Sequence, residues 1–335
     1  MANVLFVIAE AGGHFSASWG LAAQLREAGH SVTYVGQERA RATVEGQGFA
    51  YETVPFLHAT RIGILPPPGV RWGPLQRLRA WLVRGKHGRA LLGMAPQVPA
   101  YTAELVGRLR PDLIVFDPFR LGWYIPFHRH GIPAVAFSSK PLLTGDPLVP
   151  PYTSAVVPDR TAPGRLRVRL AWLRVRATHL RHRLAVAAER VLTGYSPMRL
   201  YRILARQAGY PLRREWATRP LSFDLRLRSI PELVLFPREF DFPRERPLPP
   251  GAVYVGPCVY TSRHEEPFPW DELPAGRPVV LCSLGTMPYN YDHAGVDFLR
   301  RVLAAFADDP RRALVLVSGG EPVTRALGPV PAHVR

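Results

Sequence analysis

Cysteine is almost missing: Cys258 and Cys282 are the only two in 335 residues. Two thiols exclude a disulfide framework, their spacing is not that of a metal site, and the scarcity fits a reducing compartment. Lysine is equally rare, Lys86 and Lys140 alone, so the net charge of +17 is carried almost entirely by arginine. Together with 36 prolines and abundant alanine, this is the skew that GC-rich codon usage produces. The other source of such a charge is selection for an anionic partner. Long apolar runs are missing too; a membrane-spanning helix needs about 18 such residues or more. The apolar opening Val4-Leu5-Phe6-Val7-Ile8-Ala9 has no basic residue before it and runs into Glu10 and glycines, not into a small-residue cleavage site. It reads as a buried first strand, not a signal peptide, and the expected location is the cytoplasm.

What is present suits a globular chain of about two domains, 47% hydrophobic and able to build packed cores. Residues 3 to 9 have strand length and are followed by Ala11-Gly12-Gly13. After Ser16, a candidate N-cap, Trp19, Ala22, Leu25 and Ala28 recur at three-residue spacing with Leu21 beside them, until Gly29 ends the helix. Ser31-Val32-Thr33-Tyr34-Val35 reads as the second strand. This βαβ unit predicts a parallel sheet with right-handed crossovers.

The alternation continues with a helix around Thr102 to Leu109 and strands at Leu113–Phe116, Ala134–Phe137, Leu233–Phe236 and Val253–Val255. Residues 1–257 are read as one open α/β domain, 258–278 as a linker, and 279–335 as the start of a second α/β unit. In that second unit strands at Val279–Ser283 and Ala313–Val317 flank a helix near Phe298 to Phe306. One βαβ unit cannot cover both faces of a parallel sheet.

Two segments break the order. Residues 56 to 100 hold Pro66-Pro67-Pro68, Trp72 and Trp81 with little periodicity, as a long functional loop would. Residues 160 to 206, a basic helical insertion, hold twelve arginines and one acid, Glu189. Within it Leu166, Leu170, Leu173, Ala177, Leu180, Leu184, Ala187 and Val191 repeat at spacings of four and three, which favours an amphipathic helix over a strand. In one reading this stripe packs on the sheet and the arginines are solvated. In the other the arginine face meets an anionic membrane surface or steers an acidic or lipid-linked acceptor. Nucleic acid is not expected as a partner.

The turn after the first strand of an open α/β sheet lies at the carboxyl edge, where ligand crevices form. His14 sits there after two glycines. The loop lacks the G-x-G-x-x-G spacing, and no acid follows the second strand directly, which speaks against a nicotinamide-dependent dehydrogenase. Asp117 ends the strand Leu113–Phe116 and brings a carboxylate to the same edge. A carboxylate that accepts from one imidazole nitrogen fixes the tautomer and raises the basicity of the other. The alternative for Asp117 is a helix N-cap, since Asp-Pro is a common start signal.

Taken in order, these segments resemble the macrolide and UDP-glucuronosyl type of glycosyltransferases. Gly13-His14, then Leu21-Ala22-Ala23-Gln24-Leu25, then Ala28-Gly29-His30-Ser31-Val32-Thr33-Tyr34 look like that family's opening, and Pro111-Asp112-Leu113-Ile114-Val115-Phe116-Asp117 like its strand ending in the catalytic acid. Pro231 to Pro237, Phe240-Asp241-Phe242-Pro243 and Tyr254-Val255-Gly256-Pro257 look like the close of its acceptor domain, and Val279 to Thr286 like the start of its donor domain. The resemblance implies an α/β protein of two Rossmann-like domains (GT-B architecture), the second incomplete, with the acceptor on the first domain and the nucleotide sugar mainly on the second.

Carried over by position, His14 would take the proton of an acceptor hydroxyl and Asp117 would orient it, with inversion at the sugar carbon and no metal or other cofactor. Gly13, Ser283, Gly285 and Thr286 would serve the donor diphosphate through N–H and hydroxyl donors. Trp72, Trp81 and Ser138 are candidate contacts for a small apolar acceptor such as a polyketide or terpenoid alcohol, while His30, at the start of the second strand, reads as structural. The family's His-Gly-Gly turn before a diphosphate-facing helix is not found; Gly319-Gly320-Glu321 has no His before it. The expectation is a chain truncated within the donor domain, with weakened activity or none. Two further readings stand beside this one: a lipid-linked N-acetylglucosaminyltransferase of cell-wall synthesis, and a non-catalytic acceptor-binding or auxiliary protein derived from a glycosyltransferase.

Overall fold

Short, almost wholly apolar strands such as Leu-Ile-Val-Phe at 113–116 can be satisfied only where both faces of a sheet are covered, and the computed structural model builds that arrangement. It describes all residues except 11, 55–71, 144, 216–225, 287–290, 308, 310, 332, 333 and 335, and the side chain of residue 182. The elements run β1 (Asn3–Val7), α1 (Gly12–Glu27), β2 (Ser31–Gly36), α2 (Arg41–Glu45), β3 (Ala50–Thr53), α3 (Pro74–Met94), α4 (Val98–Leu109), β4 (Leu113–Phe116), α5 (Leu121–Tyr124), β5 (Ala134–Ser138), α6 (Ala162–Thr193), α7 (Pro197–Ala208), α8 (Leu212–Glu215), β6 (Glu232–Val234) and β7 (Ala252–Tyr254). After these come β8 (Val279–Ser283), α9 (His293–Ala307), β9 (Ala313–Val317) and α10 (Glu321–Leu327). The chain divides into two compact units, the first formed by Met1–Glu10, His14–Ile62 and Gly85–Ser262, the second by Ala11–Gly13, Gly63–Arg84 and Arg263–Arg335.

In the first unit seven strands lie in the order β3-β2-β1-β4-β5-β6-β7, every pair parallel. The order reverses between β1 and β4, where Val7 stands opposite Phe116. Because side chains alternate along a strand, Leu5, Val7, Ile114 and Phe116 enter one core with α4 and α7. Val4, Phe6 and Val115 enter the other with Phe15 and Trp19 of α1. Trp19 is stacked between Phe15, 5.4 Å away, and Phe49, 5.5 Å away. Each such buried side chain contributes about 1.5–3 kcal/mol, which pins the start of α1 to the sheet. In the second unit β8 and β9 pair in parallel beside a core that includes Val296, Leu299, Leu303 and Leu314. Val279 and Leu281 on β8 remain exposed.

Three sequence expectations need correction. First, α1 begins at Gly12 instead of after Ser16, so His14 lies in the first helical turn and not in a loop. First-turn N–H groups have no intrahelical partner, so glycine and histidine are tolerated there. Second, the segment 56 to 100, expected as a loop, contains the 21-residue helix α3 and runs on toward α4; residues 55–71 lie outside the described residues. Its apolar periodicity is interrupted by Gly85 and Gly88, and at both glycines another side chain approaches the helix closely. A Cβ on Gly85 would stand 2.4 Å from Thr193, and one on Gly88 2.1 Å from the Tyr195 ring.

Third, the basic segment is the 32-residue helix α6, capped by Thr161 through its hydroxyl and closed by the left-handed Gly194, but its leucine stripe does not pack on the sheet. Val168 and Ala171 are buried while Leu166, Leu170, Leu173, Leu180, Leu184 and Val191 are exposed. The helix has two opposed apolar faces, and the narrower, smaller-residue face turns inward.

Candidate functional site

The sheet reversal sets the position of the central pair. Asp117 follows β4, and its N–H donates to the Val7 carbonyl at the end of β1 at 3.0 Å. That bond places the carboxylate beside the first turn of α1. Its two oxygens are divided between two tasks. Oδ1 accepts from the Phe119 N–H at 2.8 Å and caps the short helical turn Pro118–Arg120. Oδ2 lies 2.5 Å from His14 Nδ1 as a close ion-pair contact and, among the described residues, has no partner in hydrogen-bonding geometry. The Asp117 side chain is 3% exposed and that of His14 19%, so the carboxylate is withdrawn from water while the imidazole is partly exposed. Asp117 is therefore the cap that one sequence reading expected, and its second oxygen stands close to the His14 imidazole.

Around this pair Pro118, Phe119, Ser138, Lys140 and Glu232 complete a narrow cleft. Phe119 stands edge-on to His14 with ring centroids 5.4 Å apart, and the Lys140 ammonium lies over the Phe119 ring, 4.3 Å from its centroid. Ser138 is buried, its hydroxyl donating to the Lys140 carbonyl at 3.4 Å. Of the three residues expected at an acceptor, Ser138 thus joins His14. Trp72 precedes α3 and Trp81 lies within it, both in the stretch that groups with the second unit. Neither lines this cleft or the cavity next to it.

That cavity, of about 230 Å³, opens beyond Phe119 between α3, α4, α5 and α7, with Leu91, Val98, Trp123, Tyr201 and Leu204 among its walls. Its charged member is Arg120. The guanidinium lies 4.3 Å over the Trp123 ring, and its Nε is buried without a hydrogen-bond partner among the described residues. Burial pulls the Arg120 pKa below the usual arginine range, with the charges of Glu10 and Asp117 opposing that fall. Sequence reasoning did not single out Phe119 or Arg120. The available signal was an aromatic and a lone cation directly after Asp117-Pro118 in an otherwise apolar stretch.

In the second unit Ser283 ends β8 and its hydroxyl accepts from the Gly285 N–H at 3.1 Å. Gly285 has φ +78° and its carbonyl accepts from the Tyr291 hydroxyl at 2.7 Å. The Gly285 N–H is therefore engaged inside its own turn, whereas the sequence reading had it donating to a ligand. Thr286 closes the described part of this turn and is exposed. Gly13 lies next to His14 in the first turn of α1. No three His, Cys, Asp or Glu side chains among the described residues converge as a metal site would require.

No protein-family model matches the chain. Among curated proteins it is 26% identical over its whole length to a demethyllactenocin mycarosyltransferase of Streptomyces fradiae, of which it spans 62%. It is also 26% identical, again over its whole length, to a 4'-demethylrebeccamycin synthase of Lentzea aerocolonigenes, spanning 73% of that protein. Among solved structures, the glycosyltransferase of kitacinnamycin superimposes with a TM-score of 0.54 at 20% identity, over all of this chain and 70% of the other. The chain is thus similar in sequence to natural-product glycosyltransferases and shares the α/β, Rossmann-like fold of glycosyltransferase structures.

Proposed function

We propose that the chain acts in glycosyl transfer, moving a sugar from a nucleotide-sugar donor to a hydroxyl of a small, largely apolar natural-product acceptor with inversion at the sugar carbon. The observation that carries this reading is the buried Asp117 carboxylate 2.5 Å from His14 Nδ1, held at the point where the sheet order reverses and ligand crevices form. The relatives' names, a mycarosyltransferase among them, support the same class.

Asp117 keeps the imidazole hydrogen on Nδ1, which leaves the Nε2 lone pair to accept the proton of the acceptor hydroxyl. As the O–H bond breaks, the oxygen attacks the sugar's anomeric carbon from the face opposite the departing nucleoside diphosphate. The new C–O bond forms as the bond to the diphosphate breaks, and the leaving group takes the electron pair. Imidazolium develops beside the Asp117 carboxylate, which stabilises it in a site sheltered from water. A positioned base of this kind is worth roughly 10²- to 10⁴-fold in rate. No step in this scheme calls for a metal ion.

The cavity beyond Phe119 supplies the acceptor side: Leu91, Val98, Trp123 and Leu204 offer apolar walls and Arg120 a single cationic donor. This suits a hydrophobic scaffold bearing an oxygen acceptor group, and replaces Trp72 and Trp81 as the residues put forward for that role; Ser138 stays. On the donor side, Ser283 and Thr286 are put forward as hydroxyl donors to a diphosphate.

The test incubates the chain with dTDP- and UDP-hexoses and a panel of polycyclic and macrolide alcohols, with products read by mass spectrometry and their anomeric configuration by NMR. The expected result is a singly glycosylated product of inverted configuration. A product that retains the donor's configuration refutes the mechanism. No product, together with no thermal shift from any nucleotide or acceptor, refutes the function.

A further inference from the structure

The exposed face of α6 is laid out as no solvated surface helix needs to be. At 100° per residue, Leu166, Leu170, Leu173, Leu180, Leu184 and Val191 fall within about 40° of one line along the helix. These six side chains are between 46% and 85% exposed. Arginines run along both sides of that line at seven-residue intervals, Arg169, Arg176, Arg183 and Arg190 on one flank and Arg167, Arg174 and Arg181 on the other. All seven are exposed. Among them only Arg167 forms an ion pair among the described residues, with Asp159. The one acid of α6, Glu189, falls on the inner half of the helix with Val168 and Ala171.

We propose that this face is a docking surface for an anionic lipid bilayer, with α6 lying in the plane of the headgroups. The leucine row would enter the acyl boundary while both rows of guanidinium groups reach phosphates at the same depth, an arrangement typical of in-plane amphipathic helices. No helix among the described residues is long and apolar enough to cross a membrane, so the contact is peripheral. The four-three spacing of the leucines would also suit a coiled coil, but a second copy would set arginine rows against arginine rows with no acids between them. Charge complementarity therefore favours a continuous anionic surface over self-association. The proposal stands apart from the His14 chemistry and survives or fails without it.

The test is co-sedimentation of the chain with vesicles of phosphatidylcholine containing about one third phosphatidylglycerol, against vesicles of phosphatidylcholine alone. The expected result is binding at least about tenfold tighter to the anionic vesicles, weakened at high salt. A triple variant Arg174→Glu, Arg181→Glu, Arg183→Glu should lose that preference. The pair Leu180→Ser and Leu184→Ser should weaken binding by about tenfold through loss of apolar burial. Because these side chains are exposed, both variants should melt within a few degrees of the parent chain, which separates lost docking from lost folding. Equal binding to both vesicle types, binding to neither, or unchanged binding by the variants would overturn the proposal. A dimer in sedimentation equilibrium that the leucine variants dissociate would overturn it in favour of self-association.

Discussion

Replacing Asp117 by asparagine separates its two tasks without changing its shape. Oδ1 can go on accepting from the Phe119 N–H, now at 2.8 Å. The amide group that takes the place of Oδ2 carries hydrogens and, facing His14 Nδ1 across 2.5 Å, has to donate where the carboxylate accepted. The imidazole hydrogen is then driven to Nε2, the atom the proposed mechanism needs bare. In stability the change exchanges a charged contact with His14 for a neutral one, about 1–2 kcal/mol, so the unfolding temperature should fall by only a few degrees. In turnover the loss should be far larger, about 10²- to 10⁴-fold, as where a carboxylate-to-amide exchange leaves a catalytic histidine in the wrong tautomer. Nitrogen NMR of the His14 imidazole reads the tautomer directly, and mass-spectrometric turnover reads the consequence. A parent protein whose proton already sits on Nε2 would refute the reasoning. So would an asparagine variant whose tautomer flips while turnover stays within about threefold.

Other expectations follow from the same structure. Burial raises the hydroxyls of Tyr124 and Tyr195 from 10.0 to about 12, so the folded state holds those protons more tightly than the unfolded chain. The stability they contribute is complete below about pH 10 and is lost as pH rises toward 12, and tyrosinate absorbance should therefore appear together with unfolding; a tyrosine titration completed near pH 10 in folded protein would contradict this. Gly20→Ala would place a Cβ 2.1 Å from the Cys258 carbonyl oxygen and should destabilise by about 1–3 kcal/mol, readable in a denaturant melt. Leu200→Phe would narrow the cavity beyond Phe119 and should raise KM for a bulky acceptor with little change in kcat, since the side chain touches no reacting atom; an unchanged KM would remove that cavity from the acceptor site.

Which parts of this arrangement were legible in the sequence depended on how local their causes are. The strand at Val4 to Val7 and the strand at Leu113–Phe116 are short apolar runs bracketed by turn residues, and the first βαβ unit follows from them. His14 and Asp117 were legible because each directly follows such a strand. The start of α1 was placed too late because Ser16 has the chemistry of a cap, although the helix is secured by the burial of Phe15 and Trp19. Helix α3 was hidden because Gly85 and Gly88 stand where a periodic pattern needs apolar residues, and only the packing of Thr193 and Tyr195 explains them. On α6 the strongest apolar stripe was the wrong guide to the core, since Val168 and Ala171 make the inward face. The cavity joins α3, α4, α5 and α7, elements distant in sequence, so Arg120 and Tyr201 acquire a shared role only once the chain has folded.

The most direct test of the central claim is His14→Gln assayed for sugar transfer beside the parent chain. Glutamine can still donate toward Asp117, and with the His14 side chain mostly covered the fold and the affinity for nucleotide should be preserved. A base worth roughly 10²- to 10⁴-fold predicts that kcat falls by at least about a hundredfold while nucleotide binding by calorimetry stays the same. Ordinary turnover by His14→Gln would contradict the assignment of His14 as the base.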